Sequence, residues 1–270
     1  DTAEWLEFRR ALPISSETSD ISIGSIGSED GWSTIIIRTQ KGQDVINNAI
    51  SQGYIEAHDL TESQLKLLNK IADKKIQNNL ETIEEREYHA RPVLYQREIS
   101  DNAILDEINN SNFLDLRKNV IDVGACVLCG ACEYACPDGL ITIKDSKPRK
   151  SKKCPEDCHF CFAVCPRTFI PEKLRNDSSK VLGDYKKIMT VRSLKHYDGQ
   201  DGVVVTTILD YLVSNKIVTK ALVVDKKDDL AWKPYPVLTD DIDEIVKSSG
   251  TKYSVCPVFK PLIDLKEDVI

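Results

Sequence analysis

The stretch CVLCGACEYACP, residues 126–137, places four cysteines at spacings of two, two and three residues, with a proline after the last. A second run, CPEDCHFCFAVCP at residues 154–166, repeats this pattern with one more residue in its first gap. Two-residue gaps let a tight loop present three thiolates to three corners of a [4Fe–4S] cube, while the three-residue gap carries the fourth cysteine away. The two runs therefore predict two [4Fe–4S] clusters in a ferredoxin-like domain.

The fourth cysteine of each run is expected to bind the cluster of the other run, as in two-cluster ferredoxins. The predicted ligands of cluster one are Cys126, Cys129, Cys132 and Cys165. The predicted ligands of cluster two are Cys154, Cys158, Cys161 and Cys136. Pro137 and Pro166 fix the backbone where the chain leaves each cluster.

Zinc is the alternative to iron–sulfur clusters. Structural zinc sites usually take two separated pairs of cysteines, and these two runs have a different spacing. His159, inside the second run, is either a ligand or a loop residue near the cluster. Four thiolates already complete the site, which favours the loop residue.

Composition narrows the class of protein. The 270 residues carry 36 basic and 43 acidic side chains, a net charge of −7, which argues against a protein that coats nucleic acid. No apolar run approaches the 18 residues typical of a membrane span, and no signal peptide is recognisable. Eight of the nine cysteines lie within 40 residues, a clustering that favours metal binding in a reducing cytoplasm over disulfides.

The segment between the runs, KDSKPRKSKK at residues 144–153, is strongly basic. It could steer an acidic partner protein or an anionic cofactor tail towards the clusters. It could equally be a solvated loop that insulates them.

The residues after the clusters predict alternating strands and helices. Residues 185–193 and 221–225 have the pattern of strands, and residues 203–215 that of a buried helix, which together suggest a βαβ unit. A second helix is expected within 239–250, capped by Thr239 or Asp240 and ended by Gly250. The glycine turn at 196–202 could present backbone amides to an anion, or be a plain turn between strand and helix.

The residues before the clusters predict a buried strand at 33–39 and an amphipathic helix at 42–54. Thr61 and Gln64 form a capping-box pattern that begins a long helix. Its apolar stripe is typical of a packing surface and consists of Leu65, Leu68, Ala72, Ile76 and Leu80. Residues 84–118 are interpreted as a linker or a strap over the clusters.

Several segments together resemble the family of coenzyme F420 hydrogenase/dehydrogenase beta subunits. GDYKKIMTVRS (183–193), DGQDGVVVTTILDYL (198–212) and SSGTKYSVCP (248–257) resemble its N-terminal part. SDISIGSIGSEDGWSTIIIRTQKG (19–42) resembles the end of its C-terminal part, although it precedes the clusters. This order suggests a window of a tandem protein or a rearranged single unit.

The resemblance implies an α+β fold in which a two-cluster ferredoxin-like domain is flanked by α/β parts of a flavin domain. Residues 1–60 would be the C-terminal part of the flavin- or deazaflavin-binding domain, and 61–118 a helical linker. Residues 119–175 would be the ferredoxin-like domain, and 176–270 the N-terminal part of the flavin-binding domain.

The resemblance also implies a cofactor site. The residues expected near FAD or the deazaflavin are Gly199, Gln200, Asp201, Gly202, Lys252 and Tyr253. The residues expected to complete the pocket are Gly24, Gly27, Gly31 and Arg38. Lys252 could meet a phosphate, whereas Arg38 could instead pair with a carboxylate. Two positions depart from the family: Val203 replaces a second glycine, and Cys256 replaces a small hydroxyl residue.

The function that the resemblance implies is electron transfer by a cytoplasmic oxidoreductase. Reduced coenzyme F420 would deliver a hydride, FAD would accept it, and two [4Fe–4S] clusters would carry single electrons to a hydrogenase, a formate dehydrogenase, a respiratory complex or a ferredoxin. One alternative is a ferredoxin-dependent flavin reductase of another substrate, such as a tetrapyrrole. Another is a wiring subunit without catalysis. The catalytic residues stay unknown at this point, since the hydride chemistry would belong to the cofactors.

Overall fold

The computed structural model describes residues 19–97, 99–171, 180–197, 199, 202–226, 233–252, 254–263 and 265. Helices and strands are mixed, and the strands form one four-stranded and two two-stranded antiparallel sheets among these residues. The α+β class predicted from the sequence is confirmed.

The chain before the clusters forms three strands and two helices. They are β1 (Ile21–Gly24), β2 (Ser33–Ile37), α1 (Gln40–Ser51), β3 (Ile55–Asp59) and α2 (Glu62–Tyr88). All five residues of β2 are buried, as its β-branched sequence predicts. The capping box between Thr61 and Gln64 is present at the start of α2. The apolar stripe of α2 packs only along its first half, because Leu68 and Ala72 are buried whereas Leu80 is half exposed.

The cysteine runs lie among short helices and a hairpin. These elements are a 3-10 turn (Leu94–Gln96), α3 (Asp101–Asn109), α4 (Phe113–Leu116), a π-helical turn (Arg117–Ile121), α5 (Ala131–Tyr134), β4 (Ile141–Lys144), β5 (Lys147–Lys150) and α6 (Phe160–Ala163). Val93, Tyr95 and Phe113, from the segment predicted to be a linker, share one apolar core with the cysteines. The basic segment, for which a solvated loop was one interpretation, lies mostly in the β4–β5 hairpin. Asp145 and Ser146 turn this hairpin with positive φ angles of 52° and 56°.

The chain after the clusters adds three strands and two helices. They are β6 (Lys187–Ser193), α7 (Val204–Ser214), β7 (Ala221–Lys226), β8 (Pro234–Thr239) and α8 (Ile242–Lys247), followed by a 3-10 turn (Lys260–Leu262). Asp241 caps α8 by accepting a hydrogen bond from the Asp243 amide at 2.8 Å, so the predicted caps Thr239 and Asp240 are wrong by one or two residues.

The segments before and after the clusters meet in one sheet. Its strand order is β1-β2-β6-β3, and β6 pairs with both neighbours, so that Met189 lies opposite Ile35 and Val191 lies opposite Ala57. The core under this sheet takes apolar side chains from both segments, among them Ile46 from α1 and Tyr211 from α7. The cluster-bearing residues are therefore inserted between two halves of one packed unit.

The predicted βαβ unit is wrong. A βαβ unit would place β6 and β7 in one parallel sheet, but β7 pairs with β8 in a separate antiparallel sheet. Both edges of β6 are occupied by β2 and β3, so β6 offers no edge to β7.

Among the residues that the structure describes, every helix is too short or too polar to cross a membrane.

Candidate iron–sulfur and cofactor site

A cavity beside α5 collects the predicted ligands of cluster one. The loop that carries the first three cysteines turns at Gly130, whose φ of 90° is left-handed and suits glycine. The cavity is lined by the thiol-bearing residues Cys126, Cys129, Cys132 and Cys165, together with apolar side chains and Arg167. The fourth cysteine of the second run thus lies with the first three of the first run.

The electrostatics of the thiols also show which of them lie close together. Burial raises the pKa of Cys132, and Cys126, Cys165 and Cys129, together with Cys161 of the second run, raise it further. Burial raises the pKa of Cys165 to about 12, with Cys126 and Cys129 among the neighbouring groups that add to the shift.

The second set of thiols shows the same coupling. Burial raises the pKa of Cys161 to about 12, and Cys158, Cys154 and Cys136 raise it further. The fourth cysteine of the first run therefore lies with the first three of the second run. This grouping matches the exchange of fourth ligands that the spacing predicts.

The donor set fits clusters better than single ions. Among the described residues, no three His, Cys, Asp or Glu side chains converge as the ligands of one ion would. Four thiolates around a cube bind four different irons and stand farther apart than four around one zinc. Thiols with raised pKa values must lose their protons to solvent before they bind iron as thiolates, so cluster assembly is expected to be coupled to proton release.

Sulfurs of both thiol sets accept backbone hydrogen bonds. The Leu128 amide donates to Cys126 Sγ at 3.5 Å, and the Leu140 amide donates to Cys136 Sγ at 3.3 Å. Such bonds stabilise thiolate charge and are among the features that set cluster potentials. His159 lies in the loop directly before α6 and packs against Phe160, with the ring centroids 5.5 Å apart.

Three arginines that were not predicted from the sequence lie near the first cysteine run, and one of them, Arg167, lines the cavity of cluster one. Arg167 is 5% exposed, donates from Nε to the Ala125 carbonyl at 3.1 Å, and lies 3.8 Å above the ring of Tyr95. Arg86 and Arg91 both donate to the Val123 carbonyl, at 2.9 and 3.1 Å. In the sequence, Arg167 is distinguished only by its position directly after the final Cys-Pro, and this position alone does not predict a role.

A second concave site lies between β1, α7 and the segment after α8. We call it the flavin groove after the cofactor that the resemblance implies, and it encloses about 1200 Å³ including its open mouth. Its lining residues are Ile23, Gly24, Ser25, Ser33, Gly199, Val203–Thr206, Leu209, Leu222–Val224 and Ser248–Thr251. Gly24 and Gly199, which are 175 positions apart in the sequence, therefore line one groove, as the resemblance implies.

The amino terminus of α7 faces this groove. Val204, Val205 and Thr206 form its first turn, and among the described residues no side chain caps it. Free amides at a helix amino terminus favour an anion such as a phosphate. Val203 precedes the helix with a left-handed φ of 51°, a conformation that costs a β-branched residue about 1–2 kcal/mol. The glycine that the resemblance predicts at this position would adopt it without strain.

Several glycines predicted for the cofactor site have packing roles. A Cβ at Gly202 would lie 3.0 Å from the Val191 carbonyl oxygen and 3.2 Å from that of Gly31, so a larger residue would force the strands apart. Gly27 packs towards Thr34 and Leu68 and is not among the residues that line the flavin groove. Gly31 and Gly202 thus pack against each other, and neither is among the residues that line the flavin groove.

The two cations predicted for the cofactor site bind backbone carbonyls. Lys252 Nζ donates to the carbonyls of Ser248, Ser249 and Gly250, at the end of α8. Arg38 donates to the carbonyls of Leu182 and Asp184 at 2.9 and 2.8 Å, rather than only pairing with a carboxylate. Gln200, Asp201 and Tyr253 lie outside the described residues.

The segment after α8 joins the flavin groove to cluster one. Ser248–Thr251 line the groove. A few residues later, a Cβ at Gly130 would touch Pro257 at 3.3 Å, and the Phe259 amide donates to the Cys129 carbonyl at 3.0 Å. Cys256 is buried within this segment and is not part of either thiol set.

Family models match three parts of the chain. The model described as coenzyme F420 hydrogenase/dehydrogenase, beta subunit N-term, matches residues 188–262. The model for the C terminus of the same beta subunit matches residues 11–63, and a 4Fe-4S binding domain matches residues 119–142.

The chain belongs to the family of coenzyme F420 hydrogenase/dehydrogenase beta subunits.

Curated relatives point to the same group of iron–sulfur oxidoreductases. The chain is 33% identical over 137 residues to a coenzyme F420-dependent sulfite reductase of Methanocaldococcus jannaschii, covering 50% of this chain and 21% of the relative. It is 45% identical over 77 residues to the beta subunit of the coenzyme F420 hydrogenase of Methanosarcina barkeri, covering 28% and 26%. It is 28% identical over 158 residues to one of the subunits of the F(420)H(2) dehydrogenase of Methanosarcina mazei, covering 53% and 42%. The chain thus spans between about a fifth and two fifths of the length of these relatives.

This member of the family carries the two matched parts in reverse order, the C-terminal part before the clusters and the N-terminal part after them. The structure nevertheless joins both parts in the sheet β1-β2-β6-β3 and in one flavin groove.

Proposed function

We propose that this chain transfers electrons between reduced coenzyme F420 and a partner protein, through FAD in the flavin groove and two [4Fe–4S] clusters. The observation that carries the proposal is the segment from Ser248 to Phe259. It lines the groove at one end and touches the cluster-one loop at the other, through the bond from the Phe259 amide to the Cys129 carbonyl. A cofactor in the groove would therefore be linked to the cluster-one loop by one short segment of the chain.

The residues of the groove suit a dinucleotide with anionic phosphates. The amino terminus of α7 offers the amides of Val204, Val205 and Thr206 to a phosphate. At Gly24, an added Cβ would meet none of the described atoms within 4 Å, so the backbone there leaves room for a ring to approach. Val203 crowds the groove beside Gly199, since its methyl groups lie 3.2 and 3.4 Å from the position of a Cβ at Gly199.

The residues of the two thiol sets would hold the clusters. Cys126, Cys129, Cys132 and Cys165 would bind cluster one, while Cys154, Cys158, Cys161 and Cys136 would bind cluster two. When bound, FAD supplies the exchange between a hydride, which carries two electrons, and the single electrons that clusters accept. The chain itself positions these groups and buries the space between them.

A pair of substitutions at Val205 tests the groove. Val205 is 53% exposed and is the second residue of α7. The Val205→Glu variant adds a negative charge that favours the helix amino terminus by about 0.3–1 kcal/mol but repels a phosphate. We expect this variant to be as stable as the parent chain in urea and to bind FAD at least about tenfold more weakly, a change of about 1.4 kcal/mol. FAD binding is measured by quenching of flavin fluorescence.

The neutral Val205→Gln variant is the matched control and should bind FAD within about twofold of the parent chain. If both variants bind FAD as the parent chain does, the phosphate does not lie at α7. If the parent chain binds no FAD while its clusters assemble normally, the flavin step is wrong and the role of a wiring subunit is supported.

A further inference from the structure

The hairpin between the cysteine runs has a charge opposite to that of the rest of the chain. Residues 144–153 hold six basic residues and one acidic residue, a net charge of +5. Because the whole chain carries −7, the other 260 residues carry −12. Such a local reversal creates a field that attracts acidic surfaces to this one place.

Most of these cations are available to a partner. Lys144, Lys147, Lys152 and Lys153 are exposed, and none of them forms an ion pair with any described residue. Arg149 lies 3.6 Å from Asp145 in an exposed pair, which contributes little to stability. Since no ion pair with a described residue neutralises these four lysines, their charges are available to a binding partner.

The hairpin also covers the clusters. Ile143 and Pro148 on its inner side line the cavity of cluster one. At its far end, Lys150 and Lys153 line a depression together with Cys154 and Cys158, two of the predicted ligands of cluster two. Glu156 and Asp157 line the same depression, so the excess positive charge comes from the neighbouring lysines of 144–153 rather than from the lining itself.

An exposed apolar side chain lies in the same depression. Leu114 is 61% exposed and lines it beside the two lysines. Transient interfaces between redox proteins are small and combine an apolar contact with a charged rim that steers the encounter. Leu114 and the lysines have this arrangement.

We propose that the lysines of 144–153, with Leu114, form the docking surface for an acidic electron-carrier protein that exchanges electrons with cluster two. This inference rests on the proposed function only in that electrons pass through the clusters. An anionic cofactor tail fits less well, because the flavin groove adjoins the loop of cluster one through Pro257 and Phe259, whereas the depression adjoins cluster two.

The test is electron transfer from the dithionite-reduced chain, with both clusters loaded, to an acidic two-cluster ferredoxin in a stopped-flow instrument. The parent chain should react fast at low salt and more slowly as salt is added. The triple variant Lys147→Glu, Lys152→Glu, Lys153→Glu should lower the second-order rate constant at low salt by at least about tenfold and abolish its fall with salt. The same variant should react faster than the parent chain with a basic cytochrome c.

The matched control is the triple variant Lys41→Glu, Lys70→Glu, Lys74→Glu, which changes the net charge equally at exposed positions away from the clusters. Its rate with the ferredoxin should stay within about threefold of the parent chain. Equal losses in both triple variants would show an effect of net charge alone and overturn the proposal.

An unchanged ferredoxin rate in the hairpin variant would also overturn it. If that variant in addition binds coenzyme F420 more weakly, the lysines bind an anionic cofactor tail instead. If the glutamate variant loses iron, the neutral triple variant with glutamine at the same three positions replaces it, with a smaller rate loss expected. Because dithionite supplies the electrons, the outcome does not depend on FAD or coenzyme F420.

Discussion

Arg167 places a buried positive charge beside the thiols of cluster one. It lines their cavity, stacks on Tyr95 and is held by the Ala125 carbonyl. A reduced cluster carries one more negative charge than an oxidised one, so a nearby cation stabilises the reduced form and raises the potential. Even an interaction of about 1.4 kcal/mol corresponds to about 60 mV in a one-electron couple.

We therefore predict that Arg167→Gln lowers the midpoint potential of one cluster by tens of millivolts, on the order of the 60 mV scale. A redox titration followed by electron paramagnetic resonance measures it. Arg167→Lys keeps the charge and should shift the potential less. Arg117→Gln removes an exposed cation and should leave both potentials unchanged. A normal potential in Arg167→Gln would show that the arginine only packs.

Tyr197 anchors the turn before α7. Its hydroxyl donates to Asp210 Oδ2 at 2.6 Å, and the buried Asp210 also accepts from Ser214 Oγ at 2.6 Å. Burial, together with the hydrogen bond to Asp210 and its charge, raises the pKa of Tyr197 from 10 to about 12. The folded state thus favours neutral tyrosine. Its contribution to the free energy of unfolding is fully present below pH 10 and is lost as the pH rises through about 12.

We predict that Tyr197→Phe lowers the free energy of unfolding by about 1.5 kcal/mol at neutral pH. The difference from the parent chain should shrink above pH 10, because the parent chain then loses what the variant already lacks. Urea unfolding of both chains across this pH range measures it. Tyr185→Phe, at a half-exposed tyrosine, is the control and should have little effect. A difference that persists unchanged to about pH 12 would refute the role of the phenol proton.

At the scale of elements, the two cysteine loops depend on each other. Cys165 follows α6, yet it shares a cavity with Cys126, Cys129 and Cys132 around α5. Each cluster would therefore tie α5 to α6. Because each loop would supply the fourth ligand of the other loop's cluster, neither loop could complete a cluster alone.

The exchange predicts which cysteine variants behave alike. Cys165→Ser should lose the same cluster as Cys126→Ser, and Cys136→Ser the same cluster as Cys154→Ser. Each variant should fall from about eight to about four iron atoms per chain, with one of two resonance signals remaining. The iron content and the spectra of the four variants measure it. If Cys165→Ser instead resembles Cys154→Ser, each run binds its own cluster and the grouping is wrong.

Local structure was largely predictable from the sequence, whereas the pairing of strands was not. The β-branched run at Ser33–Ile37 and the capping box at Thr61 each determine one element by short-range preference. The insertion of β6 between β2 and β3 depends on pairing partners about 150 residues away. The residue pattern of one strand does not determine which strands it pairs with. This is why the βαβ prediction was wrong.

The candidate site was predictable to a similar extent. Cysteine spacing led to a grouping of thiols that the geometry reproduces, because a cluster imposes that spacing. The resemblance brought Gly24 and Gly199 to one groove. Arg167 and the contact of Phe259 with Cys129 were missed, since neither a buried arginine nor a main-chain hydrogen bond leaves a periodic pattern in the sequence.

At the scale of the whole molecule, sequence order and spatial order differ. The parts that match the C-terminal and N-terminal halves of the family's beta subunit lie on either side of the clusters in reverse order, yet they share a sheet, a core and a groove. In the proposed function, the groove would hold FAD near cluster one, and the basic hairpin would present cluster two to a partner protein. Electrons would then pass between the groove and the hairpin through the two clusters.

The most direct test of this account is reduction of the clusters by reduced coenzyme F420. The chain is loaded with FAD and both clusters without oxygen and mixed with reduced coenzyme F420, and the iron–sulfur absorbance is followed. We predict that the absorbance bleaches almost as far as with dithionite, and that Val205→Glu slows the bleaching at limiting FAD whereas Val205→Gln does not. If dithionite bleaches the clusters but reduced coenzyme F420 leaves them oxidised, the clusters are not connected to a deazaflavin site and the central claim is wrong.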